Sequence, residues 1–233
     1  MERVFQKDSL VAELRERCSG WAKFTEHEFV RQMQSGSLPR DAYRSFLVQD
    51  YLFLRQLSRV WCLLGAKADS LDDVEAAASN ALGTARNEAK ALHVQQCKRW
   101  NIELDELEHA TEQSETIAYT RFLLDCGNSG DALDVLVALA PCALGYAEIG
   151  LQLASSEQTA STYKEWIDIY SGEKFVSSAE SVAKQIEEQK RRRVCSGSIE
   201  GTERMRSLQS LFDKATKLET NFWSMALRAS DAA

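Results

Sequence analysis

Residues 40–66 read RDAYRSFLVQDYLFLRQLSRVWCLLGA, and this stretch decides the fold class. Its apolar side chains recur every three or four residues, which is the spacing of one face of an α-helix. No proline interrupts the stretch, and the segment SGSLP at 35–39 marks a break just before it. The pattern predicts one long, largely buried helix.

Helical periodicity extends to both sides of this stretch. It occurs in segments 8–35, 72–101, 113–126, 131–155, 160–190 and 203–229. The chain has only two prolines and eleven glycines, which suits long helices better than short strands joined by tight turns. No segment of useful length alternates between apolar and polar residues as a half-buried strand does. We therefore predict an all-α fold, with seven or eight helices in one bundle and a single domain over residues 1–233.

The composition excludes several classes of protein. The 233 residues include 28 Lys and Arg against 35 Asp and Glu, a formal net charge of −7, so we expect neither a nucleic acid nor a membrane as partner. The charged N-terminus is not a signal peptide, and no apolar run approaches the roughly 18 residues of a membrane span. The six cysteines include no CxxC pair, which argues against a zinc site or a disulfide framework. We expect reduced thiols in a cytoplasmic protein.

The segment VLVALAPCALGYAE at 135–148 is an apolar helix with a proline in its interior. Pro141 cannot donate a hydrogen bond to the Val137 carbonyl, and its ring collides with that carbonyl, so the helix should bend there. Cys142 follows directly, and Tyr146 lies one turn further along. Cys142 is a candidate nucleophile, although most cysteines are simply small buried hydrophobic residues.

Two carboxylates lie on faces that are otherwise apolar. Asp50 is one turn from Phe46 and from Leu54, and Glu219 is one turn before Phe222. A buried carboxylate is costly unless it is paired or binds something. Both residues are therefore candidate functional groups, and a hydrogen bond to a neighbouring helix is the alternative explanation.

Three tyrosines are placed on separate helical segments that could converge on one pocket: Tyr119, Tyr146 and Tyr170. Each of them alone is more often a core or rim aromatic residue than a ligand contact.

The three histidines give no indication of a metal site. We expect His27 and His109 to be surface or capping groups and His93 to be a helix-packing residue. The sequence has no HxxxH motif and no clustered carboxylates in the pattern of a di-iron or zinc site.

Several segments, in this order, resemble the motifs of the TenA/thiaminase II family. They are HEFV at 27–30 with SGSLP at 35–39, QDY at 49–51, LAPC with a following Tyr and Glu at 139–148, WIDIY at 166–170, and ETNFWSMA at 219–226. The match covers nearly the whole chain. The resemblance implies an all-α, haem-oxygenase-like bundle that assembles as a homo-oligomer, commonly a tetramer.

The resemblance also implies a reaction. It is the hydrolysis of an aminopyrimidine, either thiamin or 4-amino-5-aminomethyl-2-methylpyrimidine, to the hydroxymethylpyrimidine used in thiamin salvage, without a cofactor or metal and through a covalent cysteine adduct. Cys142 then matches the nucleophile and Glu219 the acid. Asp50 matches the carboxylate that holds the ring's amino group and adjacent nitrogen. The residues that line or orient the ring are Tyr119, Tyr146 and Tyr170.

One position departs from the family pattern. Phe53 stands where many members have a tyrosine whose hydroxyl assists the cysteine, so we expect a less activated thiol. A non-catalytic pyrimidine-binding or regulatory protein is therefore one alternative. An oxidase-type relative on the same scaffold is another, and it would need a proximal histidine or a cluster of ligands.

Overall fold

The computed structural model describes residues 4–193 and 202–229, and within these ranges all regular structure is helical. The prediction of an all-α fold is confirmed, but the predicted number of seven or eight helices is wrong, because the described residues form thirteen α-helices. Cys195 lies outside the described residues. In chain order the α-helices are α1 (Leu10–Arg17), α2 (Trp21–Thr25), α3 (Glu28–Ser35), α4 (Arg40–Ala66), α5 (Leu71–Leu82), α6 (Val94–Arg99), α7 (Leu104–His109), α8 (Ser114–Ser129), α9 (Ala132–Ala140), α10 (Tyr146–Ser155), α11 (Lys164–Ser171), α12 (Glu173–Arg193) and α13 (Glu203–Arg228).

The chain forms two compact units. The first unit comprises Met1–Leu38 and Leu136–Thr220, and the second comprises Pro39–Val135 and Asn221–Ala233. Helices α9 and α13 contribute residues to both units. That the chain is a single domain stays a prediction.

The N-terminal segment 8–35, in which the sequence shows helical periodicity throughout, contains three short helices. The Ser9 hydroxyl caps α1 by accepting a hydrogen bond from the Ala12 N–H at 3.3 Å. The His27 ring caps α3, with Nδ1 accepting the Phe29 N–H at 3.1 Å. The cap at His27 separates α2 from α3, because it satisfies an amide group that a continuous helix would bond internally, and residues 18–20 separate α1 from α2. The expectation that His27 is a capping group is confirmed.

Helix α4 begins at Arg40 and ends at Ala66, as the sequence predicted. In the second unit it packs against α5 and α8. A Cβ atom on Gly127 of α8 would lie 2.7 Å from Leu63 Cδ1 on α4, so this glycine permits a close approach of the two helices. Helix α8 runs through Gly127 to Ser129, beyond its predicted end at 126.

A π-helical turn interrupts the apolar helix at Pro141. The turn spans Pro141–Gly145 and joins α9 directly to α10; we call it the Pro141 turn. In a π-helix each hydrogen bond joins residues i and i+5. This local change of register allows the helix to continue although Pro141 has no N–H to donate. The sequence predicted a bend at Pro141, and the structure shows a π-helical turn there.

The stretch Ala132–Ser155 corrects one expectation about membranes. By length and composition alone it is long and apolar enough to cross one, so the statement that no apolar run approaches a membrane span is wrong. Within the protein 83% of its apolar window is buried. Burial of this kind is what a core helix shows, and it accounts for the apolar composition.

A second π-helical segment, Gly83–His93, lies between α5 and α6 and divides the predicted helix 72–101. Its sequence has no proline, so the apolar spacing gave no indication of the change in register. The segment packs on α4 in the second unit and ends at His93.

Candidate active site

Asp50 is buried on the core-facing side of α4, as its spacing predicted. Its exposed fraction is 5%, and Phe46 and Leu54, one turn away on either side, are also buried. The carboxylate oxygen Oδ2 lies 3.4 Å from Nδ1 of His93. This contact reaches another helical segment, but at 3.4 Å it is longer than a normal hydrogen bond, so the alternative explanation of this carboxylate stays a hypothesis.

His93 contacts α4 through both ring nitrogens. Its Nε2 lies 2.6 Å from the Leu47 carbonyl oxygen, and its exposed fraction is 5%. Burial lowers the pKa of His93 to about 4, although the hydrogen bond to the Leu47 carbonyl acts in the opposite direction. The sequence indicated only a helix-packing histidine, and its contact with Asp50 was missed.

Gln49, next to Asp50, holds the start of α8. Its side-chain amide donates to the Thr111 carbonyl at 3.0 Å. Its Oε1 accepts the Gln113 N–H at 2.9 Å and the Thr116 hydroxyl at 2.6 Å. Gln49 is 3% exposed, so these contacts replace the water that would otherwise satisfy the helix end. Helix α8 carries Tyr119, whose position therefore depends on Gln49.

Phe53 lies one turn after Asp50 on α4 and contacts Tyr119. The two ring centroids are 4.9 Å apart, and the Phe222 ring lies 6.0 Å from Phe53. Phe53 is 4% exposed and Tyr119 is 1% exposed. The second unit thus brings together three of the residues singled out in the sequence: Asp50, Phe53 and Tyr119.

Cys142 is the second residue of the Pro141 turn in the first unit, and it is half-buried. Of the other four described cysteines, Cys18, Cys97 and Cys126 are buried and Cys62 is exposed. A π-helical turn leaves backbone groups outside the regular α-helical ladder, and such turns are frequent at functional sites. Cys142 therefore differs from the three buried cysteines in both exposure and backbone setting.

Two glycines fix the surroundings of the Pro141 turn. A Cβ atom on Gly145 would lie 2.3 Å from the ring of Phe24, so α2 approaches the turn closely. A Cβ atom on Gly150 would lie 2.5 Å from the backbone carbonyl carbon of Tyr170. Helices α10 and α11 therefore touch through their backbones at this point.

Tyr146 and Tyr170 lie together in an aromatic cluster of the first unit. Their ring centroids are 5.1 Å apart, and Trp166 lies 5.9 Å from Tyr146 and 4.3 Å from Tyr170. All three are buried. Two of the three candidate tyrosines are thus brought together, whereas Tyr119 belongs to the second unit.

Glu148 is a buried carboxylate to which the sequence assigned no role. It is 2% exposed and accepts hydrogen bonds from Arg15 Nε at 2.9 Å and from Arg15 Nη2 at 2.7 Å. Trp21 Nε1 donates a third bond at 3.0 Å. A bidentate contact of this kind fixes both distance and orientation, so Glu148 ties α10 to α1 and α2.

Glu219 is 2% exposed on α13, in the part of that helix that belongs to the first unit. The prediction that this carboxylate is buried is confirmed. The first unit therefore contains Cys142, Tyr146, Tyr170 and Glu219. In residues 4–193 and 202–229 no three His, Cys, Asp or Glu side chains form a group that could hold a metal ion.

A model of the TENA/THI-4/PQQC family matches residues 16–229. The chain belongs to this family. An uncharacterised protein from Haemophilus influenzae is 32% identical over 209 residues, which are 89% of this chain and 93% of that one. An aminopyrimidine aminohydrolase from Halalkalibacterium halodurans is 29% identical over 208 residues, 88% of this chain and 89% of that one.

Solved structures of TenA proteins match the fold. The crystal structure of a TenA family transcription regulator from Silicibacter sp. TM1040 has a TM-score of 0.92 and 35% identity, over 97% of this chain and 99% of that one. A domain with a heme oxygenase-like fold from Shewanella denitrificans has a TM-score of 0.71 and 13% identity, over 95% and 93% of the two chains, and shows the fold alone. The family and the haem-oxygenase-like fold implied by the sequence motifs are both confirmed.

Proposed function

We propose that this TenA-family protein is a cytoplasmic, cofactor-free aminopyrimidine hydrolase of thiamin salvage. Its substrate is 4-amino-5-aminomethyl-2-methylpyrimidine, thiamin or both, and its product is 4-amino-5-hydroxymethyl-2-methylpyrimidine. Relatives named aminopyrimidine aminohydrolase, each 29% identical, support a hydrolase. The observation that carries the proposal is the half-buried Cys142 on the Pro141 turn.

The proposed reaction uses Cys142 as nucleophile. Its thiolate adds to an electron-poor carbon of the pyrimidine while Glu219 protonates a ring nitrogen. The ring is then electron-rich and expels the amine or thiazole from the exocyclic methylene. Water adds to that methylene, and loss of the thiolate restores the aromatic ring. Covalent catalysis of this kind divides one slow displacement into steps with lower barriers.

Substrate binding is assigned to Asp50 and the three tyrosines. Asp50 binds the exocyclic amino group and the adjacent ring nitrogen, and Tyr119, Tyr146 and Tyr170 line or orient the ring. Their burial supports this assignment, because a carboxyl group and aromatic rings out of water bind a flat heterocycle more strongly than exposed ones.

Turnover of thiamin and of the aminomethylpyrimidine, measured side by side, tests the function. We expect the wild type to hydrolyse at least one of them and Cys142→Ala to lose more than about 1,000-fold in kcat. Cys62→Ala, which removes an exposed thiol, is the matched control and keeps wild-type turnover. Wild-type rates from purified Cys142→Ala would exclude the covalent mechanism, and a wild type inactive on both compounds would exclude the function.

A pyrimidine-binding regulatory protein is the second candidate. Two observations favour it: Phe53 stands at the position of the assisting tyrosine, and the TenA structure with 35% identity is described as a transcription regulator. Calorimetric titration with hydroxymethylpyrimidine separates the two candidates. Tight binding together with no turnover of either substrate would favour regulation.

We also propose that the chain assembles as a homo-oligomer, as the family resemblance implies. Large apolar side chains exposed in the second unit support self-association, and Leu71 at 86% and Leu82 at 53% are examples. Light scattering of the full-length protein would give the mass of a tetramer, and a monomeric mass would contradict this proposal.

A further inference from the structure

Glu148 on α10 is a buried carboxylate that the proposed reaction does not use. Its Oε2 accepts hydrogen bonds from Arg15 Nε at 2.9 Å and from Trp21 Nε1 at 3.0 Å. Its Oε1 accepts from Arg15 Nη2 at 2.7 Å and from Gln152 Nε2 at 3.3 Å. Donors on α1, α2 and α10 therefore surround the carboxylate, and they hold it in one orientation.

This arrangement contributes geometry more than stability. A pair of charges taken out of water adds little net stability, because the loss of hydration offsets most of their attraction, although removing one partner alone is costly. A bidentate guanidinium and an indole N–H, in contrast, tolerate only a narrow range of positions for the carboxylate. All of these residues belong to the first unit. Glu148 therefore fixes the position of α10 relative to α1 and α2.

Helix α2 contacts the start of α10 and the end of the Pro141 turn at two points. The first is the hydrogen bond from Trp21 to Glu148. At the second, the Phe24 ring lies so close to Gly145 that a Cβ atom there would be 2.3 Å from it. The two points are three residues apart on α2 and three residues apart on the facing segment, so each pair lies on one side of its helix. The Trp21 hydrogen bond therefore also sets the register of α2 against the last residue of the turn.

The Pro141 turn carries Cys142 three residues before Gly145. A π-helical turn is an uncommon conformation, so contacts from outside the turn must stabilise it. Phe24 supplies one such contact, and its ring also lies 6.1 Å from the ring of Tyr146, where α10 begins. A shift of α2 would therefore move the turn, and with it the backbone of Cys142.

Trp21 also links α2 to the helix of the proposed acid. Its ring stacks on Phe212 of α13, with 5.4 Å between the centroids and 20° between the planes. Glu219 follows Phe212 by seven residues, about two helical turns, so the two lie on the same side of α13. The indole of Trp21 therefore contacts α10, which continues from the turn of Cys142, and α13, which carries Glu219.

We propose, on the basis of the function proposed above, that Glu148 is a positioning residue that acts through Trp21. By holding the indole, it sets the separation between the turn that carries Cys142 and the helix that carries Glu219. The proposed reaction needs the thiolate and the acid on one pyrimidine ring at the same time, and a displacement of about 1 Å costs about 100-fold in rate. In this role Glu148 needs no contact with the substrate.

Turnover of the better substrate of the wild type by Glu148→Gln and Trp21→Phe tests this role. The amide of Glu148→Gln places N–H groups where a carboxylate oxygen accepted hydrogen bonds, and Trp21→Phe loses the indole N–H but keeps an aromatic ring. We expect kcat to fall about 30-fold in Glu148→Gln and about 10-fold in Trp21→Phe, with KM changing by less than about 3-fold. An unchanged kcat in both variants, or a rise in KM alone, would overturn the proposal.

Tyr43→Phe is the matched control. It also deletes one buried hydrogen bond of an aromatic side chain, because Tyr43 is 1% exposed and its hydroxyl accepts from Gln96 Nε2 at 2.8 Å. Tyr43 lies on α4 in the second unit. With each variant shown by circular dichroism to be folded at the assay temperature, we expect kcat of Tyr43→Phe within about 2-fold of the wild type. A loss equal to that of Trp21→Phe would contradict the positioning role.

Alkylation of the full-length protein by iodoacetamide tests the geometry without any substrate. Cys142 is half-buried and Cys62 is exposed, so mass spectrometry of both residues in one sample gives a ratio of rates with an internal reference. We expect Trp21→Phe and Glu148→Gln to change this ratio by more than about 5-fold and Tyr43→Phe to leave it within about 2-fold.

Equal labelling ratios in the wild type, Trp21→Phe and Glu148→Gln would overturn the proposal whatever the protein catalyses. If the wild type hydrolyses neither substrate, the proposed function fails, whereas the labelling ratio still decides whether Glu148 positions the turn that carries Cys142.

Discussion

Arg15 donates two hydrogen bonds to Glu148, one to each carboxylate oxygen, at 2.9 and 2.7 Å. Glu148 is 2% exposed, so removing the guanidinium leaves a buried carboxylate with less compensation. We predict that Arg15→Ala lowers the free energy of unfolding by about 2 kcal/mol, less than for a fully buried pair because Arg15 is 31% exposed. Urea denaturation of the full-length protein measures this change.

The matched control for Arg15 is Arg31. It pairs with Glu28 at 2.9 Å, but its side chain is 61% exposed and that of Glu28 is 49% exposed. Arg31→Ala should change the free energy of unfolding by less than about 0.5 kcal/mol. Equal losses of unfolding free energy from Arg15→Ala and Arg31→Ala would show that the burial of Glu148 does not strengthen its pair with Arg15.

Gln49→Ala should affect both stability and substrate binding. It removes the side chain that forms hydrogen bonds with the Thr111 carbonyl, the Gln113 N–H and the Thr116 hydroxyl at the start of α8. We predict a loss of about 2 kcal/mol in the free energy of unfolding, since buried polar groups lose their partner. Because α8 carries Tyr119, KM for the aminopyrimidine should rise as well. Gln56→Ala, nearly two turns along α4 at a half-buried position, is the control and should leave KM unchanged.

Phe53→Tyr restores the hydroxyl that the family resemblance associates with an activated cysteine. If that hydroxyl stabilises the thiolate, kcat/KM should rise about 10-fold, which is the value of a hydrogen bond to a charged group. The site is tightly packed, with the Tyr119 ring 4.9 Å away, so we also expect a small loss of thermal stability. Unchanged turnover would show that the missing hydroxyl at Phe53 does not limit the reactivity of the cysteine.

The lowered pKa of His93 predicts a loss of stability in mild acid. The folded protein does not protonate His93 until about pH 4, whereas the unfolded chain binds this proton near pH 6.5. The unfolded state therefore holds more protons between these values, so stability rises with pH across the window and falls as pH drops from about 6.5 to 4. The loss reaches about 3 kcal/mol.

Comparison with His93→Asn isolates this effect. Burial also lowers the pKa of His27, but that residue is present in both proteins and its contribution cancels. The difference in free energy of unfolding between the wild type and the variant should shrink as pH falls from 7 to about 4.5. Parallel pH profiles would show that His93 is protonated equally in the folded and unfolded states.

The sequence predicted those features that depend on spacing along one helix. The bounds of α4 and the burial of Asp50 and Glu219 follow from which residues share a face, and a single segment contains that information. The break between α2 and α3 was missed because the cap at His27 is decided by an individual side chain. The π-helical segment Gly83–His93 was missed because apolar spacing is too coarse to separate i+4 from i+5 registers.

Contacts between distant segments were beyond sequence reasoning. Glu148 meets Arg15 across 133 positions, and His93 meets the Leu47 carbonyl across 46. Nothing in the residue types shows which charged groups pair across such separations. The proposed roles of Cys142 and Glu219 come from motif resemblance, and the structure adds the exposure of both side chains and the backbone setting of Cys142.

Gln49 and Asp50 are consecutive residues that serve different neighbours. Successive side chains on a helix point about 100° apart. Gln49 therefore contacts the start of α8, and Asp50 contacts the end of the segment Gly83–His93. The positions of α8 and of the segment Gly83–His93 are thus both set by the same stretch of α4 backbone. A single-residue insertion or deletion in α4 before Gln49 would turn both contacts away together, whereas an insertion after Ala66 would leave them in register.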